Sequence, residues 1–183
     1  IARQFFGINV APSDNPNVHH YTLERLEELG LRRVRMDFTY NSVNGPAQQL
    51  LDSLLEQDYH VMLDIFPQLE DAEALYKSAT AQTQWANFLR DMFERYQYKV
   101  ECFEIGSTPN RGKWSGFSSR SMLGAWKIAI EVAESYNVML AGPNVSDFEP
   151  IFNATYLSLL ERFGRPPKIH TDNLFVERVM EPE

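Results

Sequence analysis

Acidic side chains recur just after short apolar runs along this chain. Asp37 follows Val34 and Met36, Asp64 follows Met62 and Leu63, Asp147 and Glu149 follow Val145, and Asp172 follows Ile169 and His170. Paired carboxylates can divide general-acid and general-base work when their surroundings push their pKa values apart. On that ground Asp37, Asp147 and Glu149 are the catalytic candidates, with Asp64, Asp172 and Glu177 as further acids. The plain alternative for Asp147 and Glu149 is a solvated loop acid, or one favoured by the positive end of a helix dipole. Arg35 can fork two hydrogen bonds to a carboxylate or to vicinal hydroxyls. It therefore either lines a site or closes an internal salt bridge with Asp37.

A second group of residues suits binding. Trp114 lies in the polar, glycine-flanked run Arg111-Gly112-Lys113-Trp114-Ser115-Gly116, where an aromatic is not needed for a core. An exposed tryptophan there can stack on the apolar face of a sugar ring, and Arg111 and Lys113 could grip a carboxylate or phosphate on an acidic glycan. Its other reading is a lid over the next helix. Asn110, Arg111, Asn144, His170 and Asp172 complete the set of polar candidates. Trp85 and Trp126, by contrast, sit at helical spacing among apolar residues and are expected in the core. His19, His20 and His60 lack the i, i+4 spacing of a helical metal site, so no metal is expected. No cofactor is expected either.

These groups need elements to position them. Short β-branched or aromatic runs at 5–10, 31–40, 59–67, 100–105, 138–141 and 168–176 read as strands. Between them, residues 21–30, 46–58, 84–96, 120–136 and 155–163 carry helical periodicity, with Leu50, Leu51, Leu54 and Leu55 sharing one face of the second. Pro46 suits the first position of that helix, and Gly30 stops the one before. Strands alternating with helices, without hairpin signals, imply right-handed crossovers and a parallel sheet.

A spacing of about 30 residues between successive βα units suits either a doubly wound sheet or a (β/α)8 barrel. No strand is followed by a glycine-rich phosphate loop, which removes support for the nucleotide-binding open sheet. Polar residues instead crowd the C-terminal strand ends, where a barrel assembles its site. The expected fold is thus α/β, a TIM-type (β/α)8 barrel. About six βα units are expected within residues 1–183, forming one domain incomplete at its C-terminus.

Residues 103–116 read Phe-Glu-Ile-Gly-Ser-Thr-Pro-Asn-Arg-Gly-Lys-Trp-Ser-Gly. This resembles the fourth-strand signature of clan-A glycoside hydrolases, (β/α)8 enzymes in which that strand ends in Gly-Asn-Glu-Pro-Asn. The resemblance extends to the order of elements, the Arg35/Asp37 pair ending the second strand, the run 142–149 after the fifth, and His170 ending the sixth. In that family the Glu is the general acid/base and the Asn contacts the sugar near its 2-hydroxyl. Ser107 and Thr108 stand at those two positions here. A threonine hydroxyl lacks a carboxyl-like pKa and cannot protonate a leaving glycosidic oxygen at useful rates. A retaining glycosidase also needs a second carboxylate about 5 Å from the first. The resemblance puts that group on a seventh strand, beyond the expected six. Glu104 shares a face with Thr108 but lies four residues deeper, about 13 Å at ~3.3 Å per residue. Near the barrel floor its expected partner is Arg35.

Composition narrows the partners. Seventeen basic against 25 acidic residues give a net charge of −8 and a pI near 5.0, which argues against a nucleic-acid or anionic-membrane surface. No apolar run reaches the ~20 residues of a membrane span. Cys102 is the single cysteine, so no intrachain disulfide can form. Without a secretory pattern at the N-terminus a cytoplasmic setting is slightly favoured, and the sequons at Asn144 and Asn153 carry little weight. The expectation is a carbohydrate-active protein of glycoside-hydrolase type acting on O-glycosidic bonds of an oligo- or polysaccharide. The alternative is a non-catalytic glycan-binding pseudo-glycosidase.

Overall fold

The protein is described by a computed structural model covering residues 6–147, 149–163 and 166–173. Six parallel strands hydrogen-bond in chain order: β1 (Ile8–Asn9), β2 (Arg33–Phe38), β3 (His60–Ile65), β4 (Cys102–Ile105), β5 (Leu140–Ser146) and β6 (Ile169–Asn173). Each strand pairs with the next one in sequence, so every crossover returns the chain by a single step in the same direction. This is the TIM-type (β/α) architecture that the alternation of strands and helices predicts. Residues 174–176 of the expected sixth strand, and Glu177, lie outside the described residues.

The helices form where local chemistry starts and stops them. In α1 (Pro16–Leu29) the Asn15 side chain caps Asn17, and Gly30 ends the helix in the left-handed conformation at φ 65°. Helix α2 (Pro46–Glu56) buries Leu50, Leu51 and Leu54. Helices α3 (Leu69–Ala74) and α4 (Ala79–Tyr96) follow β3, and Ser78 caps α4. After β4 come the single turn α5 (Gly112–Ser115) and α6 (Ser119–Ala133), which starts at a Ser118/Ser121 capping box. Helix α7 (Pro150–Phe163) joins β5 to β6.

The main core fills the layer between strands and helices. Val34, Met36 and Phe38 of β2 and Val61, Leu63 and Ile65 of β3 meet Leu89, Met92 and Phe93 of α4. Trp85 is fully buried and its indole N–H donates to Ala125 O at 3.1 Å, tying α4 to α6. Trp126 is buried as well. With the apolar residues of β2 and β3 facing the helices, strand alternation turns Arg35, Asp37 and Asp64 onto the inner face.

Candidate functional site

The inner face carries a charged row. Register places Asp37, Asp64 and Glu104 side by side across β2, β3 and β4. Arg35, two residues earlier on β2, reaches all three. Its Nε donates to Glu104 at 2.6 Å, Nη2 to Asp64 at 2.5 Å and Nη1 to Asp37 at 2.9 Å. Asp64 and Glu104 are 0% and 1% exposed, while the Asp37 side chain is 58% exposed. Glu104 is therefore at the floor and pairs with Arg35 there, and Asp37 stands at the edge of the row.

The electrostatics follow from burial. Loss of water raises the Asp64 carboxyl well above its usual range, and Glu104 beside it adds to this against the pull of Arg35. Arg35 stays charged: burial opposes its charge, but the three carboxylates, Asp64 foremost, outweigh that and raise its pKa. Asp64 can thus hold a proton, yet it is sealed from the mouth.

Where the resemblance places a Glu, the β4 end is held by hydroxyls. Gly106 and Thr108 both take positive φ, 80° and 54°, and for a β-branched residue such as Thr108 this is a strained conformation. The Thr108 N–H donates to Asn144 O at 2.8 Å, and its Oγ1 accepts from Ser146 Oγ at 3.3 Å. Ser107 Oγ lies 3.5 Å from the same atom. Asn110 does not point free into the mouth. Its amide donates to Ser146 O at 2.7 Å and accepts from Ser146 N at 2.9 Å, splicing the β4 loop onto β5 as a strand neighbour would.

A bulge between Ala141 and Asn144 keeps β5 in phase. Asn144 and Ala141 pair with Thr171 and Ile169 of β6, so all four share the inner face. Asp172 faces outward instead and accepts from Asn153 of α7 at 3.0 Å. Asn144 is 1% exposed and its Nδ2 has no hydrogen-bond partner. Both sequon asparagines, Asn144 and Asn153, are buried, so neither presents its amide at the surface. His170, expected to line the site, lies between inward-facing Ile169 and Thr171 and therefore faces outward like Asp172, exposed on β6.

At the rim, Arg111 bridges the two remaining acid candidates. Its Nη2 is 2.8 Å from Asp147 and its Nη1 is 2.6 Å from Glu149. Those hydrogen bonds raise the Arg111 pKa, that to Asp147 first. The guanidinium that sequence reading offered to an acidic glycan is thus already occupied by the chain's own carboxylates. Trp114 stands on α5 with 73% of its surface exposed. Gly116 ends that turn at φ 72°, and a Cβ there would strike the Leu69 carbonyl, so the loop sits tightly on the start of α3.

The structure therefore gathers Arg35, Asp37, Asp64 and Glu104 into one network. A second holds Ser107, Thr108, Asn110, Arg111, Asn144, Asp147 and Glu149, while Asp172 lies behind the sheet. Sequence reasoning missed Ser146, which receives both the Asn110 amide and the Thr108 hydroxyl contact. Its position two residues after Asn144, hence on the same strand face, was the available signal. A cavity of about 800 Å³ lined by Tyr59, His60, Tyr98 and Lys99 lies at the opposite, N-terminal end of the strands.

No family model matches this chain, and no curated protein matches it in sequence. Solved structures do resemble it. The family 1 β-glucosidase from Thermotoga maritima superposes with a TM-score of 0.53 at 15% identity, over 80% of this chain and 42% of that one. Virulence factor SghA from Agrobacterium tumefaciens gives 0.51 at 10% identity, over 71% and 36%. D-Psicose 3-epimerase from Clostridium cellulolyticum H10 gives 0.53 at 9% identity, over 90% and 62%. These neighbours are TIM barrels, and the likeness is one of fold. The chain spans less than two thirds of the length of each. Among the described residues no helix is long and apolar enough to cross a membrane.

Proposed function

We propose that residues 1–183 form a glycoside-hydrolase-like carbohydrate-active domain that binds an oligo- or polysaccharide across the C-terminal strand ends. The observation that carries this reading is Trp114, 73% exposed on the turn α5 that directly follows Arg111 of the polar rim. An indole left in water next to ordered hydrogen-bonding groups matches the two demands of a sugar ring, an apolar face to stack and hydroxyls to pair. The motif at 103–116 and the β-glucosidase neighbours support the same class. Binding is favoured over hydrolysis because Thr108 occupies the acid/base position, Asp64 is buried at the floor, and Arg111 engages both Asp147 and Glu149.

The test is oligosaccharide binding by wild type and Trp114→Ala, measured by calorimetry. Removing one stacking aromatic is expected to weaken binding by about tenfold, the order of 1.4 kcal/mol. Equal affinity of the two proteins overturns the assignment of Trp114.

Hydrolysis is the second reading, favoured by one observation: Asp147 and Glu149 are close enough to share a guanidinium, and Glu149 is 37% exposed. It requires turnover of an aryl glycoside or oligosaccharide that is lost in Asp147→Asn. No turnover across a panel of such substrates removes it.

A further inference from the structure

We infer that the glycan taken by this site is one bearing amines, such as a polymer of unacetylated glucosamine, and that acidic glycans are rejected. The inference rests on the carbohydrate reading above and adds the charge class of the ligand.

Both arginines of the site are spent on the chain's own acids. Arg35 makes three contacts and Arg111 two, every one to a carboxylate. To reach either guanidinium, an incoming uronate or phosphate would have to displace Asp37 from Arg35, or Asp147 or Glu149 from Arg111. Each displaced acid would then be left beside the new anion, and like charges at such range cost several kcal/mol.

The balance that remains is negative. Even with Asp64 neutral, four carboxylates (Asp37, Glu104, Asp147 and Glu149) face two guanidiniums, and Lys113 on exposed α5 adds only one further cation. Two of these carboxylates reach solvent. The Asp37 side chain is 58% exposed and that of Glu149 37%, and each has lone pairs left after its arginine contact. An ammonium group presents donors to such oxygens without displacing anything.

A separate observation places a hydrogen-bonding group ready for a ligand. Asn144 is 1% exposed on the inner face, next in register to Ser107, and its Nδ2 is left without an acceptor. Buried donors are rarely left unpaired, and a sugar oxygen reaching below the rim would supply the missing acceptor. Trp114 gives the stacking surface and the acids give the charge selection, so recognition and discrimination come from different residues.

The experiment compares four β-linked or acidic tetrasaccharides by calorimetry: glucosamine, N-acetylglucosamine, glucose and galacturonic acid oligomers, below the pKa of the amine and at low and high salt. The glucosamine oligomer is expected to bind about fivefold tighter than its N-acetylated form, as one or two partly exposed ion pairs supply. That advantage should shrink at high salt and vanish in the Asp37→Asn/Glu149→Gln double variant, while the galacturonate oligomer shows no binding. Equal binding of the glucosamine and N-acetylglucosamine oligomers, or binding of galacturonate as tight as glucosamine, overturns the charge inference and leaves the carbohydrate reading standing. Failure of all four to bind overturns both.

Discussion

At Arg35 one guanidinium contacts three carboxylates, two of them sealed from water. Taking it away strands buried charge, which costs far more than the pair contributes when intact. Arg35→Met is expected to lose about 3–5 kcal/mol of unfolding free energy, measured by urea denaturation with circular dichroism. A loss below ~1 kcal/mol would mean that the row is hydrated and not a packed network. Asp64 gives a pH signature with a definite sign. Its native pKa lies above its unfolded value near 3.8, so the native state binds the extra proton between those two values. The contribution of Asp64 to stability therefore falls as pH rises from about 4 through its native pKa. Asp64→Asn removes this dependence, so the stability of the variant relative to wild type should increase with pH across that window. A difference that stays flat with pH would refute the assignment. Sequence reading anticipated the Glu104–Arg35 contact from strand alternation alone. It could not anticipate that Arg111 turns back onto Asp147 and Glu149, because those residues are 36 and 38 positions apart and only the crossover through α6 brings them together.

Among the elements, the splice between the β4 loop and β5 governs the geometry of the mouth. Asn110 supplies both a donor and an acceptor to the Ser146 backbone, and it holds the strained Thr108 turn and the Asp147 loop in one frame. Asn110→Ala is expected to cost about 1–3 kcal/mol, two lost hydrogen bonds with partly buried partners left over. Thermal unfolding checks the size. Loss of hydrogen-exchange protection confined to Ser146 and its neighbours checks the place, and unchanged exchange there would contradict the role.

Strand and helix order was legible because periods of 2 and 3.6 survive in any parallel α/β chain. Boundaries were less so. Sequence reading ended the fifth strand at residue 141, whereas β5 runs to Ser146; partners on both sides extend a segment containing glycine, proline and asparagine, which are poor strand formers by themselves. The first helix begins at Pro16 and not at residue 21, because the Asn15 cap and Pro16 start it ahead of the apolar repeat. Helices α3 and α5 fall outside the periodic segments of the sequence, since four to six residues are too few to carry a periodic signal.

Over the whole molecule, the one thiol reports on global integrity. Cys102 is buried, and loss of water, with Glu101 and Glu104 close by, pushes its pKa up to about 12. The thiolate is the reactive form, so a thiol reagent should label Cys102 only as the protein unfolds. The labelling midpoint in urea should coincide with that seen by circular dichroism. Rapid labelling of the native protein would show a sheet that opens locally at β4.

By itself the sequence determined the alternating strands and helices, the parallel sheet, the burial of Trp85 and Trp126, and a hydroxyl where the resembling family carries its acid. These properties follow from local periodicity and residue identity. Tertiary structure alone decided which charges meet. Carboxylates drawn from β2, β3 and β4 share Arg35, while Arg111 takes two more from the β5 end. Such pairing depends on strand register and crossover geometry, and it turns the two arginines at the strand ends from anion receptors into struts of an acidic mouth.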